Sequence, residues 1–380
     1  MTLTASVAVV GGGLAGLHAA SLLEQAGIGD VVLFESRSQI GGRLLSLPAT
    51  PSAAVRGHFD LGATWVWPGM QAELGRLLTE LGLDTFEQSA AGDLLVERRG
   101  AGAPARTRGW PSEPASMRVQ GGMGALVNAT ARRLASTRLL AGHRVTRLAC
   151  RSTGIDINAV DDQGRPLVLQ ASQVLLALPP RLAVATMAFD PPMPEPLARD
   201  WAETATWMAP HAKYLAVYDE AFWRDAGLSG AARSELGPMV EIHDASARDG
   251  DGALFGFIGV PAEARARVSD ETLRGHCRTQ LVRLFGARAG SPKAEWLKDW
   301  ATDPHTATAV DQRAAGEHAV APAATPQAGA WRHRLYGVAS EWSPRFPGYV
   351  AGAIDAAERG VAAALDARSG LAGPMARTGG

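Results

Sequence analysis

The sequence predicts an α/β protein of two domains, α+β in overall organisation. A Rossmann-like domain is interleaved with a second domain built on a mixed sheet flanked by helices. Three observations carry this prediction. The stretch "SVAVVGGGLAGLHAASLLEQAG" reads as a short apolar strand, a glycine turn and a helix. "GDVVLFE" follows as a second strand that closes on an acid. The segments 66–114 and 186–325 lack βαβ alternation and are rich in Pro, Trp and short mixed patterns.

At the first turn, Gly11, Gly13 and Gly16 give the spacing G-x-G-x-x-G. The first glycine permits a tight turn, the second lets backbone approach a pyrophosphate, and the third packs helix on strand. The helix N-terminus adds free N–H groups and a positive dipole end for phosphates. Glu35 ends the second strand at the distance the fingerprint requires. A carboxylate there accepts from ribose hydroxyls and repels a 2′-phosphate, which favours FAD or NAD over NADP. Gly41, Gly42 and Arg43 follow in "ESRSQIGGR", a pattern suited to a second backbone approach with a cationic clamp, or to a loop with a solvated Arg.

"DPPMPEP" at 190–196 marks a boundary loop, and "SDETLRGHCRTQLVRLFG" reads as an amphipathic helix capped at Ser269 or Asp270 and stopped by Gly286. "AKYLAVYDEAFWR" at 212–224 reads as a strand with Lys213, Leu215 and Val217 on one face, and Ala212, Tyr214, Ala216 and Tyr218 on the other. Both faces are mostly apolar. The chain has three lysines only, Lys213, Lys293 and Lys298, and uses Arg for its other cations. Lys213 is therefore either a strand-edge residue whose head reaches water or a buried functional cation. "PGYVAGAIDAAERG" begins an amphipathic helix after Gly348. Its N-terminus suits a ring that gains negative charge, while its small residues would equally suit close packing. No internal repeat appears. The chain crosses between domains several times: 1–65, 115–185 and 326–368 are expected in the nucleotide domain, 66–114 and 186–325 in the second, and 369–380 in a flexible tail.

The 380 residues suffice for two domains with a large core, 46% are hydrophobic, and the net charge is −1. No basic run points to nucleic acid or a membrane surface. Two cysteines, Cys150 and Cys277, lack metal-ligand spacing, so no zinc site or disulfide scaffold is expected and a cytoplasmic location is the simplest fit. Residues 6–23 carry no Lys or Arg before them and hold the glycine pattern, so they are not read as a targeting segment.

"VAVVGGGLAGLHAA", "VVLFESRSQIGGR", "FDLGATWVWPG", "QGGMGAL", "HRVTRL", "VLLALPP" and "LYGVASEWSPRFPGYVAGAIDAAERGVAAAL" resemble, in that order, the flavin-containing amine oxidase superfamily. The resemblance spans nearly the whole chain and implies FAD. It implies that Gly11, Gly13, Leu14, Ala15, Gly16, Glu35, Ser36, Arg37, Gly41, Gly42 and Arg43 hold the ADP half, with Val145 presenting backbone to the adenine. Gly62, Ala63, Thr64 and Trp65 would line the flavin, with Leu178 and Pro179 also in contact. Glu341, Gly348, Tyr349, Val350 and Ala353 would surround the ribityl chain and pyrimidine edge.

In that family a lysine at the position of Lys213 holds a water beside flavin N5. The resemblance likewise gives Tyr349 as one aromatic wall beside the flavin and matches Trp300 to a tryptophan ahead of the loop under the ring, where core packing is the plainer reading. Trp65, Trp67, Trp207, Trp342 and Phe346 are further pocket candidates. His211 is either a substrate contact or a packed or solvated residue. The chain departs from monoamine oxidases in "DPHTATAVDQRAAGE", which has neither the second wall tyrosine nor a flavin-linking cysteine, so the FAD is expected to be noncovalent.

The expected reaction is oxidation of an amine C–N bond, with hydride passing from the α-carbon to N5, an imine that hydrolyses, and reoxidation by oxygen or another acceptor. The alternatives are an L-amino-acid oxidase, for which Arg224, Arg233 or Arg345 would have to meet a carboxylate, a desaturase-like enzyme, and a non-enzymatic FAD-fold binding or escort protein. The expected partner is a small-molecule amine, with no nucleic acid, membrane or metal; the sequence leaves a homodimer open.

Overall fold

A computed structural model describes residues 3–48, 57–109, 112–248, 250–313 and 320–372. The chain divides into two compact units, one made of 1–42, 127–207 and 317–380, the other of 43–126 and 208–316.

In the first unit, eight described strands form one sheet. Leu3–Val10 lies at its centre, paired in parallel with Val31–Phe34 on one side and Pro166–Leu176 on the other. Arg138–Leu140 extends the sheet beyond Val31–Phe34, and Leu335–Gly337 runs parallel to Val174–Leu176. His143–Arg151, Gly154–Asp161 and Pro166–Leu176 make an antiparallel meander, and Ala188–Asp190 adds a parallel edge. Val7–Val10 and Val31–Phe34 are continuous apolar runs because both faces are covered there. The helices Leu14–Gln25 and Val350–Ala372 pack against each other.

The second unit holds a seven-stranded mixed sheet in the order Ala294–Asp299, Ala212–Tyr218, Gly252–Ile258, Met239–Asp244, Leu228–Ser234, Asp93–Glu97, Ala105–Arg108. Neighbours are antiparallel except Leu228–Ser234 with Asp93–Glu97, which run parallel. The strand Ala212–Tyr218 is buried throughout. Its two faces meet different partners, as period-two alternation requires. Ala212, Tyr214, Ala216 and Tyr218 share a core with Cys277, Leu281 and Leu284 of the helix Asp270–Phe285. Leu215 and Val217 face Phe59, Leu61 and Phe255. The helix begins and ends where its sequence indicates: the Ser269 hydroxyl accepts from the Thr272 N–H, and Gly286 closes it. That cap contributes about 1 kcal/mol.

The unit boundaries differ from those drawn on the sequence. Residues 43–65 and 115–126 lie with the second unit, because Leu45 accepts from Leu61, and Ser46 and Asp60 accept from Gly124 and Met123, whereas 186–207 and 317–325, expected in the second domain, fall within the bounds of the first unit. The last helix runs through Ala372, so residues 369–372 of the expected tail are helical; 373–380 lie outside the described residues.

Candidate active site

The nucleotide unit presents a cradle built from close backbone approaches. A Cβ on Gly16 would stand 1.9 Å from the Gly11 carbonyl oxygen, so helix and strand can meet only with glycine there. Gly13 is the N-cap of the helix Leu14–Gln25 and brings no side chain, leaving the amides at Leu14 and Ala15 uncapped by any side chain. Gly41 sits against the turn through a bridge to Gly13, and its N–H donates to the Gly12 carbonyl. The Ala177 N–H donates to the Val10 carbonyl, setting Leu178 and Pro179 at the same strand ends.

Glu35 is 3% exposed. Its Oε2 accepts from the Gly12 N–H at 2.8 Å and its Oε1 from the Arg37 N–H at 2.8 Å and the Ser36 hydroxyl at 3.3 Å. A carboxylate has about four lone-pair sites, so acceptor capacity remains for ribose hydroxyls. Val145 stands where the ladder between His143–Arg151 and Gly154–Asp161 slips between Val145 and Arg147, which takes backbone groups out of register. Glu341, 1% exposed, lies in the turn Ser340–Trp342, whose Ser340 carbonyl accepts from the Gly348 N–H; the helix carrying Val350 and Ala353 follows. Tyr349 packs against Trp207 with ring centroids 4.7 Å apart, tilted by 48°. An uncapped, glycine-lined helix start with a buried acceptor at the second strand fits a dinucleotide.

The second unit centres on Lys213, 2% exposed and aimed inward, which disposes of the solvated strand-edge reading. Nζ donates to the Thr64 hydroxyl at 2.6 Å and to the Gly62 carbonyl at 3.3 Å. It lies 3.9 Å from the centroid of Phe255 and 5.9 Å from that of Phe257. Burial pushes its ammonium down from the usual 10.5 to about 7, opposed by the charge of Asp60 and reinforced by Arg118. Asp60 is itself buried; burial raises its carboxyl, and the Ser46 hydroxyl and Met123 N–H that it accepts from pull the other way. Arg118 donates from its two terminal nitrogens to the Ser246 and Ala245 carbonyls, while its Nε is buried without a hydrogen-bond partner among the described residues.

The turn that serves Lys213 is held from below. A Cβ on Gly62 would stand 1.8 Å from the Arg43 carbonyl oxygen, so this crossing requires glycine. Trp300, 6% exposed, donates its indole N–H to the Leu61 carbonyl at 3.1 Å, and its backbone N–H to the His211 carbonyl at 3.0 Å. Trp300 thus ties the turn before Gly62 to the chain entering the lysine strand. Trp65 donates to Gln88 and packs on His243, Phe255 and Phe257. The pieces read from the sequence therefore gather within each unit: Gly11 to Gly42, Val145, Leu178, Pro179 and Glu341 to Ala353 in the first; Arg43, Gly62 to Trp65, Lys213 and Trp300 in the second. Sequence reading missed Asp60, Arg118 and Phe255. Only their pairing across distant strands brings them to the lysine, and no local motif marks that.

A nucleotide cradle and a buried, low-pKa lysine define a dinucleotide-dependent redox enzyme. Comparison with known families makes the class specific. Residues 86–365 match the flavin containing amine oxidoreductase family, and residues 9–81 match the NAD(P)-binding Rossmann-like domain. The chain belongs to the flavin-containing amine oxidoreductases. It is 26% identical, over 94% of this chain and 96% of the relative, to AofH of Mycobacterium tuberculosis, whose name places it provisionally among flavin-containing monoamine oxidases. It is 38% identical to human amine oxidase [flavin-containing] B over 26% of this chain and 18% of that protein. Among solved structures, a putrescine oxidase variant superposes with a TM-score of 0.77 at 22% identity, over 96% of this chain and all of that one. The cyclohexylamine oxidase of Brevibacterium oxydans does so with 0.77 at 18% identity, over 96% and 99%. At these identities the two structures establish the common fold. The protein is an enzyme that uses FAD to oxidise an amine C–N bond. Among the described residues no group of His, Cys, Asp or Glu could hold a metal, and no helix is long and apolar enough to cross a membrane.

Proposed function

We propose that the enzyme oxidises a small amine with noncovalently held FAD and passes the electrons to oxygen, with Lys213 as its proton-holding cation at the ring. Bound flavin supplies the hydride acceptor and the route to oxygen. The chain's own residues do the rest. Leu14 and Ala15 offer first-turn N–H groups to the pyrophosphate, Glu35 accepts from the ribose, and Glu341 with Gly348 to Ala353 supports the ribityl and pyrimidine portion. Thr64 and the Gly62 carbonyl orient the Lys213 ammonium, and Trp300 positions the turn that carries them. Trp207 and Tyr349 offer an aromatic wall that orients the amine and excludes water.

The observation that carries this reading is a buried lysine with two oxygen partners and, among the described residues, no carboxylate within 4.0 Å. A lysine placed so, at about 7, exists in both protonation forms near neutral pH and can hold or release a proton at Nζ. The amino-acid oxidase alternative draws less support. Arg224 is bound to Asp244 at 2.8 Å and Arg233 to Glu241 at 3.2 Å, while Arg345 faces Asp355 at 3.6 Å. The decisive experiment is the visible spectrum of the purified protein, followed by anaerobic mixing with primary amines, polyamines and amino acids. Bleaching by amines and peroxide on re-aeration support the reading. Lys213→Met should keep bound FAD while reduction or reoxidation slows; unchanged rates in both half-reactions would remove Lys213 from the mechanism.

A further inference from the structure

The ammonium of Lys213 is solvated by very little. Its described partners are the Thr64 hydroxyl, the Gly62 carbonyl and two aromatic rings, and it makes no ion pair within 4.0 Å among the described residues. The nearer ring is not the one directly across the ladder. Lys213 pairs in register with Phe257, whereas Phe255 is opposite Leu215, one diagonal step along the same face. Nζ nevertheless lies 3.9 Å from the Phe255 centroid, against 5.9 Å for Phe257. The lysine therefore leans along its strand to put its charge close to one ring.

That ring is held on several sides. Phe255 is 1% exposed, stands edge-on to Phe257 at 5.4 Å and 86°, and touches Trp65 at 5.5 Å and His243 at 5.3 Å. Its electron-rich face, the negative side of the ring quadrupole, is turned to the ammonium. The other charged or titratable groups around this face are accounted for. Asp60 and Arg118 act on Lys213 through their charge, Asp60 while accepting from Ser46 and Met123, and Arg118 while donating to Ala245 and Ser246. His243 bonds Glu241, and Lys298, opposite Lys213 on the other neighbouring strand, is bound to Asp303.

We propose that Phe255 is a positioning residue for the amine-oxidising reaction: its ring face holds the Lys213 side chain in place and favours the ammonium form over the neutral amine. This rests on the reading of Lys213 given above, and it adds a residue that no local sequence motif marks. By stabilising the ammonium, a desolvated ring face raises the proton affinity of the amine on the order of ten- to thirtyfold, equivalent to roughly 1 to 1.5 pH units.

The three-lysine composition makes a direct test practical. Lysine labelled with carbon-13 at Cε gives three side-chain signals in the FAD-loaded oxidised enzyme, and Lys213→Met identifies the one from Lys213. Its pH titration is followed in the wild type, in Phe255→Leu, and in enzyme carrying pentafluorophenylalanine at 255, which keeps the ring's shape but reverses the charge of its face. The titration midpoint of Lys213 is expected to fall by roughly 1 to 1.5 pH units in Phe255→Leu and by at least as much with the fluorinated ring. A midpoint unmoved by the fluorinated ring overturns the proposal, whether or not Phe255→Leu shifts it, because packing alone would then explain the leucine variant. The fluorinated enzyme also keeps the test intact if Phe255→Leu does not fold. Failure here is distinct from failure of the Lys213 assignment itself, which is read from the two flavin half-reactions of Lys213→Met.

Discussion

Replacing Lys213 with methionine should change how stability depends on pH, and the structure gives sign and size. Burial holds the folded-state lysine at about 7, below its ordinary 10.5. The unfolded chain therefore binds more protons than the folded one between those values. Stability contributed by this site accordingly rises with pH from about 7 to about 10.5 and is level outside that window. Each tenfold step corresponds to about 1.4 kcal/mol, so the full penalty of keeping the ammonium buried below pH 7 is about 5 kcal/mol. Methionine has a similar length and no charge, and leaves every other titrating group in place. Urea unfolding of the wild type and Lys213→Met, run in parallel at pH 7.5 and pH 9.5, should show the wild type gaining about 2.5 kcal/mol more than the variant over that interval. The variant should also be the more stable protein at pH 6. Parallel curves for the two proteins across that range would refute the reasoning, since they would mean that the lysine is as well solvated in the fold as in water.

Other consequences can be measured alongside. Gly16→Ala places a methyl 1.9 Å from a carbonyl oxygen, and the protein should be recovered without FAD or not at all, read from the ratio of flavin to protein absorbance. Glu35→Gln keeps the shape but loses the charge that accepts from the Gly12 and Arg37 N–H groups; FAD affinity, followed by flavin fluorescence, should fall about tenfold, as for loss of a charge-assisted bond of about 1.5 kcal/mol. Trp300→Phe removes the N–H that holds the Leu61 carbonyl and should cost about 1 kcal/mol in urea unfolding while weakening FAD retention. Trp207→Ala removes the ring beside Tyr349 and should raise KM for amines several-fold with FAD content unchanged, as measured by peroxide formation.

Local chemistry made much of this protein legible from its residues. The glycine turn and Glu35 announce themselves because the fingerprint is confined to one βαβ unit. The helix Asp270–Phe285 is readable to within one residue at its start, Ser269 or Asp270, and to Gly286 at its end, because caps act within one turn of their positions. Lys213 stood out because an ammonium had no evident reason to sit in an apolar strand, and the structure shows both faces covered. What could not be read is set by long-range pairing. "GALFGFI" looks like any buried strand, and its register against residues 212–218 alone decides that Phe255 meets a cation. The placement of 43–65 depends likewise on hydrogen bonds from Met123 and Gly124 to Asp60 and Ser46, which no composition change announces.

The interleaved connectivity has a consequence for how the enzyme matures. The central sheet of the nucleotide unit takes Leu3–Val10 and Leu335–Gly337 on either side of Pro166–Leu176, and the helix Val350–Ala372 packs against Leu14–Gln25. A ribosome releases the first of these partners long before the last. The glycine cradle must therefore wait, half-covered, through synthesis of the other unit, and closing such distant contacts is slow. The cradle is therefore complete for FAD only after the last helix has been made, so capture of the cofactor follows synthesis of both units.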